Sequence, residues 1–281
     1  MKKETLMKQL KKADEGGYAV PHFNFSDIWD LEAIVKGAEE MHSPVIAAAL
    51  PKVNDALGMH VVGAMAKALA ESAKVPVYLD HSTEVQVSQK ACDENYSLVM
   101  LDASKETLEE NIKRVKKVVD YARPRGVFVE GEIGMIKGRT EEGNYTEDDF
   151  LVRVEDAVEL AEKSGLDILA VGIGTAHGFY QGKPEINFKR LAEVNEALEL
   201  PLVMHGGTGI PEEDVRRAIR NGINKVNVGT IIKYTYLSTV KEVLDREGPT
   251  IYTTELMKPA VNAVKEEVKR WIRTCMADGK A

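Results

Sequence analysis

Three histidines follow short apolar runs in similar settings: His81 in YLDHS, His177 in GTAHG and His205 in VMHGG. Imidazole is the commonest side-chain metal ligand. Three neutral imidazoles brought to one place hold zinc with a fourth position open for a substrate oxygen. Taken singly, each histidine would cap a strand or pack beneath a loop. As a set in equivalent settings they point to a metal centre. His22, His42 and His60 read as structural, although His22 stands close to a strand end.

Carboxylates surround these positions. Asp80 directly precedes His81. It is a partner of the ligand, a surface cap or an acid/base, and its side chain turns either to the opposite pleat face or into the same mouth. Asp102 ends another apolar run, where it competes with Ser104 to cap the next helix. Glu130 and Glu132 stand two apart and share one strand face; glutamates that point into a core are costly without a cation. In HGGTGIP, the small residues Gly206, Gly207 and Thr208 let the backbone approach an anion, and Pro211 opens a helix whose free N–H groups bind phosphate. Asn227, Val228, Gly229 and Thr230 supply a second such loop. The polar segment Gly134–Asp149 carries Glu141 and Glu142 between Gly138 and Gly143, the composition of a hinged lid.

These residues need a frame that brings them together. Apolar, β-rich runs recur at Tyr18–Phe25, Pro44–Leu50, Pro76–His81, Leu98–Ala103, Val127–Ile133, Ile168–Gly174, Pro201–Gly206 and Lys225–Gly229. Near-continuous apolar character fits strands buried on both faces. Amphipathic helical patterns lie between them, at Asp27–Met41 with Asp27 as N-cap, Lys105–Tyr121, Glu147–Ser164 with Gly165 as C-cap, and from Pro211 to Gly222. Alternating β and α units imply parallel strands with right-handed crossovers. Eight units predict an α/β chain of the closed (β/α)8 TIM barrel type, against the alternative of a doubly wound open sheet. No composition shift divides residues 1–281, so one domain is expected, its tail Thr253–Ala277 being the last barrel helix plus an extension. Barrel chemistry is built at the C-terminal strand ends, and phosphate binds after strands seven and eight. The histidines, the carboxylates and both glycine loops fall there, and so does Asn24, a candidate substrate contact.

With 281 residues, 44% hydrophobic and 29% charged, the chain is neither disordered nor fibrous. A formal charge of −8 argues against a nucleic-acid binder. Cys92 and Cys275 have no CxxC spacing, which speaks against a disulfide framework. No stretch reaches membrane-span length and the N-terminus lacks an apolar leader, so a cytoplasmic protein without nucleic-acid or membrane partners is expected.

The ordered set VPHFNF, SPVI, YLDHS, VMLDAS, VEGEIG, LAVGIGTAHGFY, PLVMHGGTGIP and KVNVGT resembles the class II, metal-dependent ketose-bisphosphate aldolases, a group that includes fructose- and tagatose-bisphosphate aldolases. The resemblance spans nearly the whole chain. It implies reversible cleavage of a phosphorylated ketose to dihydroxyacetone phosphate and an aldehyde, with one catalytic Zn²⁺ per chain in a homodimer or homotetramer. By the same resemblance His81, His177 and His205 are the zinc ligands. Asp80 is the acid/base for the hydroxyl at the bond being broken. Asp102 and Glu132 form a second cation position. Gly178, Gly206 to Thr208 and Asn227 to Thr230 bind dihydroxyacetone phosphate. Glu141 or Glu142 is the base beside the carbonyl. Three positions depart from the pattern: Leu50 where many members carry Ser or Thr, Thr208 in place of the glycine-loop Ser, and Gly229 where glycolytic members often carry Asp or Asn. A Schiff-base aldolase, another zinc barrel and a non-enzymatic sugar-phosphate sensor are the alternatives. The first requires an inward lysine at a strand end. Lys225 is read as opening strand eight rather than ending it.

Overall fold

A computed structural model describes residues 4–72, 75–136 and 147–281 of the chain. The apolar runs form eight parallel strands: β1 (Val20–Asn24), β2 (Ile46–Ala49), β3 (Val77–Leu79), β4 (Leu98–Leu101), β5 (Phe128–Ile133), β6 (Ile168–Val171), β7 (Leu202–Met204) and β8 (Ile223–Val228). They are ordered as in the sequence, and β8 pairs back onto β1 with His22 beside Asn227. The sheet is therefore the closed (β/α)8 barrel and not an open sheet.

Helices cover the outside. α1 (Glu4–Gly16) precedes the first strand and joins the barrel's lower end, where Asn224 Nδ2 donates to Asp14 Oδ1 at 3.0 Å. α2 (Ile28–Glu40) starts at the expected cap: Asp27 accepts from Trp29 N–H and Asp30 N–H, and Asp30 accepts from the Asp27 backbone in return. α3 (Pro51–Leu57) and α4 (Met59–Ser72) connect β2 to β3, and α5 (Val85–Asp93) follows β3. α6 (Leu108–Ala122), α7 (Val154–Ser164), α8 (Phe188–Ala197) and α9 (Glu212–Arg220) follow the next strands, and Gly165 closes α7 in the left-handed conformation.

Several expectations are corrected. α10 (Thr230–Glu247) follows β8 directly and is the last barrel helix. The tail is a separate helix, α11 (Thr253–Thr274), which lies on α2. There a Cβ at Gly37 would stand 2.7 Å from Val268, and Lys265 and Lys269 both bond Glu40. α6 is capped by Thr107, whose hydroxyl accepts from Glu110 N–H, and not by Asp102 or Ser104. A short 3₁₀ turn (Glu147–Phe150) precedes α7, so that helix begins later than its pattern suggests. β8 begins two residues before Lys225, which places this lysine within the strand, fully buried. No helix among the described residues is long and apolar enough to cross a membrane.

Side-chain alternation decides what enters the barrel. A Cβ at Gly131 would meet Leu166 at 2.9 Å and Val115 of α6 at 3.5 Å, on the helix side. Its neighbours Glu130 and Glu132 therefore point inward. Both are buried, as are His22, Lys225 and Asn227.

Candidate metal centre and substrate pocket

Asp80 and His81 both reach the mouth because the pleat breaks between them. β3 stops at Leu79, and His81 adopts φ +49°, a left-handed conformation uncommon for a residue with a side chain. His177 sits in the loop after β6. That loop is tied to the next one by Tyr180, whose hydroxyl accepts from Ala176 N–H at 2.8 Å and donates to Gly206 O at 3.0 Å. His205 follows β7 without solvent exposure. The next residue must be glycine, since Gly206 has φ +71° and a Cβ there would stand 2.3 Å from Ala176 O.

The three imidazoles meet. One nitrogen from each of His81, His177 and His205 lies within 4.8 Å of the others. His205 Nδ1 is 2.8 Å from His81 Nε2. His81, Asp102 and Glu132 form a second such group. His81 Nδ1 is 3.2 Å from Asp102 Oδ2, and Ser104 Oγ lies 2.7 Å from Asp102 Oδ1 and 3.0 Å from Glu132 Oε1. Asp80 Oδ2 accepts from Asn24 Nδ2 at 2.8 Å and lies 3.5 Å from His22 Nε2, so the buried His22 belongs to the surroundings of this carboxylate.

Electrostatically the cluster is crowded. Burial pulls the His81 imidazole down, but the carboxylates of Asp80, Asp102 and Glu132 outweigh it and push it up to about 10. Burial and the charge on His81 together lower His177 to about 3 and also lower His205. Burial would raise Asp80, yet the imidazoles, His81 foremost, hold it well below the usual carboxylate range. Burial and the nearby Asp102 raise Glu132 well above that range. The buried Glu132 Oε2 has no hydrogen-bond partner. Converging nitrogens, inward carboxylates and an orphaned oxygen suit a divalent cation, and imidazole donors suit zinc.

A cavity of about 470 Å³ opens over this cluster. One wall is the glycine loops, with Gly178, Gly206, Gly207, Thr208, Asn227, Gly229 and Thr230 facing the space. Gly207 N–H donates to Asn227 O at 3.0 Å, and a Cβ at Gly207 would stand 2.9 Å from that oxygen. Thr208 Oγ1 accepts from Ile231 N–H at 3.2 Å, which fixes the loop to the start of α10. Gly229 and Thr230 begin that helix, so its positive N-terminal end faces the cavity. Val228 is fully buried and is not among the lining residues. Asn24, Leu50, Lys52, Lys105, Met135, Ile136 and Lys233 also line the walls. Glu141 and Glu142 lie outside the described residues.

Sequence reasoning missed Lys225 as an inward residue. It pairs with Glu130 below the histidines, Nζ to Oε2 at 2.9 Å, and the signal was the alternation of Lys225 and Asn227 in KVNV. The lysines on the cavity wall carried no signal, because solvated lysines are common on any helix start.

The family model for fructose-bisphosphate aldolase class-II matches residues 4–280. The 6-phospho-5-dehydro-2-deoxy-D-gluconate aldolase of Bacillus licheniformis is 36% identical over 288 residues, covering 99% of this chain and 96% of the relative. The crystal structure of the YdjI aldolase from Escherichia coli K12 superposes with a TM-score of 0.86 at 31% identity, covering 98% of each chain. The fructose-bisphosphate aldolase of Campylobacter jejuni, at 19% identity and a TM-score of 0.82 over 100% of this chain and 97% of its own, shares the fold.

Proposed function

The chain belongs to the class II fructose-bisphosphate aldolase family and is an aldehyde-lyase; from that premise we propose that it reversibly cleaves a phosphorylated ketose into dihydroxyacetone phosphate and an aldehyde, using zinc held by His81, His177 and His205. The carrying observation is the meeting of three imidazole nitrogens at the barrel mouth, beside a cavity walled by two glycine loops. A divalent cation there supplies Lewis-acid polarisation of a carbonyl.

The chain's own residues then have these roles. Asp80, held by Asn24, takes the hydroxyl proton as the carbon–carbon bond breaks and returns it in condensation. Asp102 and Glu132 offer a second cation position. Gly178, Gly206 to Thr208, Asn227, Gly229 and Thr230 cradle the phosphate at the N-terminal end of α10. Glu141 or Glu142 serves as base at the carbon beside the carbonyl. Candidate substrates are fructose-1,6-bisphosphate, tagatose-1,6-bisphosphate and related ketose phosphates. Leu50 removes a hydroxyl from the pocket wall, and the Bacillus relative is named for 6-phospho-5-dehydro-2-deoxy-D-gluconate, which ends in a carboxylate. That compound therefore joins the panel.

A Schiff-base reading gains one observation and loses by it. Lys225 is inside the barrel, but its ammonium is paired with Glu130 and also donates to Asn227 Oδ1. An ammonium in that pairing has no lone pair for attack. The deciding experiment is a screen of phosphorylated ketoses coupled to detection of dihydroxyacetone phosphate, with and without chelator. Cleavage of one or more ketoses that stops on chelation supports the proposal. Cleavage that survives exhaustive chelation overturns it.

A further inference from the structure

Beneath the three histidines, the roles above leave one buried ion pair unused. Glu130 reaches inward from β5 and Lys225 from β8; both are fully buried, and Nζ stands 2.9 Å from Oε2. Lys225 also donates to Asn227 Oδ1 at 2.8 Å, so its partners here are both acceptors. A buried pair of this kind is often replaceable by apolar residues without loss of stability, so stability alone is a weak reason for it.

The other oxygen of Glu130 gives a better one. Oε1 lies 3.0 Å from His205 Nε2, while His205 Nδ1 faces the centre of the histidine cluster. A neutral imidazole carries one N–H and one lone pair. A carboxylate only accepts, so Nε2 carries the hydrogen and Nδ1 the lone pair. Lys225 holds Oε2 at 2.9 Å, which keeps the carboxylate ionised and Oε1 in place against Nε2. We propose that the Glu130–Lys225 pair is a positioning device that fixes Nδ1 of His205 as its metal-binding nitrogen. The inference rests on the metal reading given above.

Glu130→Gln tests it with little change in size. While Lys225 is present, the amide oxygen must face the ammonium. The amide N–H groups then face His205 Nε2 and drive its hydrogen to Nδ1. Zinc affinity of the folded variant, measured by competition with a chromophoric chelator, should fall roughly 10–100-fold, the range for loss of a ligand's hydrogen-bond partner. In metal-free protein the imidazole ¹⁵N shifts of His205 should change from the Nε2–H to the Nδ1–H tautomer. Adding Lys225→Met frees the amide to turn its oxygen toward His205, and both readouts should return toward the parent. Two double variants without an unpaired buried charge guard against a folding artefact. Glu130→Gln/Lys225→Met should bind zinc more tightly than Glu130→Leu/Lys225→Met, which offers His205 no partner. Parent-like affinity and tautomer in Glu130→Gln, or equal affinity in the two doubles, overturn the inference. Failure of the metal reading looks different, because the unsubstituted protein itself would then bind no zinc.

Discussion

The Cβ that Gly229 lacks would stand 2.5 Å from Oδ1 of Asn24. The same Asn24 donates through Nδ2 to Asp80 Oδ2 at 2.8 Å. The space left at position 229 is thus where the amide that orients Asp80 sits. A residue absent from the pocket wall becomes a condition for placing the carboxylate opposite.

Gly229→Ala should therefore displace Asn24 and loosen Asp80. Turnover should fall, though by less than the roughly 10²–10⁴-fold expected of Asp80→Ala as loss of an acid/base group. Zinc content should stay at the parent level in both variants. Asn24→Ala combined with Gly229→Ala should cost little more than either alone, since both break one contact. Steady-state cleavage kinetics decide the matter. Parent turnover in Gly229→Ala would mean that Asn24 yields without releasing Asp80.

Metal removal gives a second prediction. His177→Ala or His205→Ala takes one of three converging nitrogens away and should leave the purified protein with little zinc. The barrel should still fold, because the strands and helices form without contribution from those rings. Metal analysis beside far-UV circular dichroism checks both halves. A histidine variant with full zinc occupancy removes that residue from the ligand set.

A pH dependence follows from Asp30, which is fully buried at the start of α2. Its oxygens accept from Ser26 N–H at 2.7 Å and Asp27 N–H at 3.0 Å. Burial pushes this carboxyl up to about 7 and outweighs those bonds, which favour the charged form. In the unfolded chain it titrates at ~3.9. Between these values the folded state holds the proton more tightly, so the sign is negative: stability falls as pH rises from ~4 through ~7 and then levels off. Asp30→Asn cannot ionise and should flatten that part of the slope. At the acid end, where the parent carboxyl is protonated, it should cost about 1 kcal/mol because the reciprocal cap is weakened, and that cost should shrink or reverse as pH rises through ~7. Melting temperatures across that range, parent against variant, are the check. Identical slopes would assign the dependence to other groups.

Much of the barrel was readable because a strand buried on both faces writes itself as an apolar run, and each run is closed by polar residues at the mouth. Positions such as His81, Asp102 and His205 needed only that rule. Lys225 escapes it because the polar pair Asn224–Lys225 interrupts the apolar run, so the run starts at Lys225 in the sequence although Ile223 and Asn224 already belong to β8. The relation between Gly229 and Asn24 lay out of reach. It joins the ends of β1 and β8, which touch only once the barrel closes. The break at His81 was equally hidden, since a positive φ at a histidine leaves no mark in composition.

Glu141 and Glu142 lie outside the described residues, and their role as base rests on sequence and family resemblance. In the sequence they stand between Gly138 and Gly143. If one of these glutamates is the base at the carbon beside the carbonyl, it is needed for proton exchange on dihydroxyacetone phosphate alone. That exchange involves no aldehyde, so it isolates proton abstraction from bond making. Replacement by Gln keeps size and polarity while removing the base. With the right glutamate replaced, solvent-deuterium exchange should collapse together with cleavage, while zinc content and phosphate affinity persist. Glu142→Gln is expected to have the larger effect, because the family loop resembles this one with its base at the second of the paired acids. Exchange at the parent rate in both single variants would send the search for the base to Asp80 and its neighbours at the mouth.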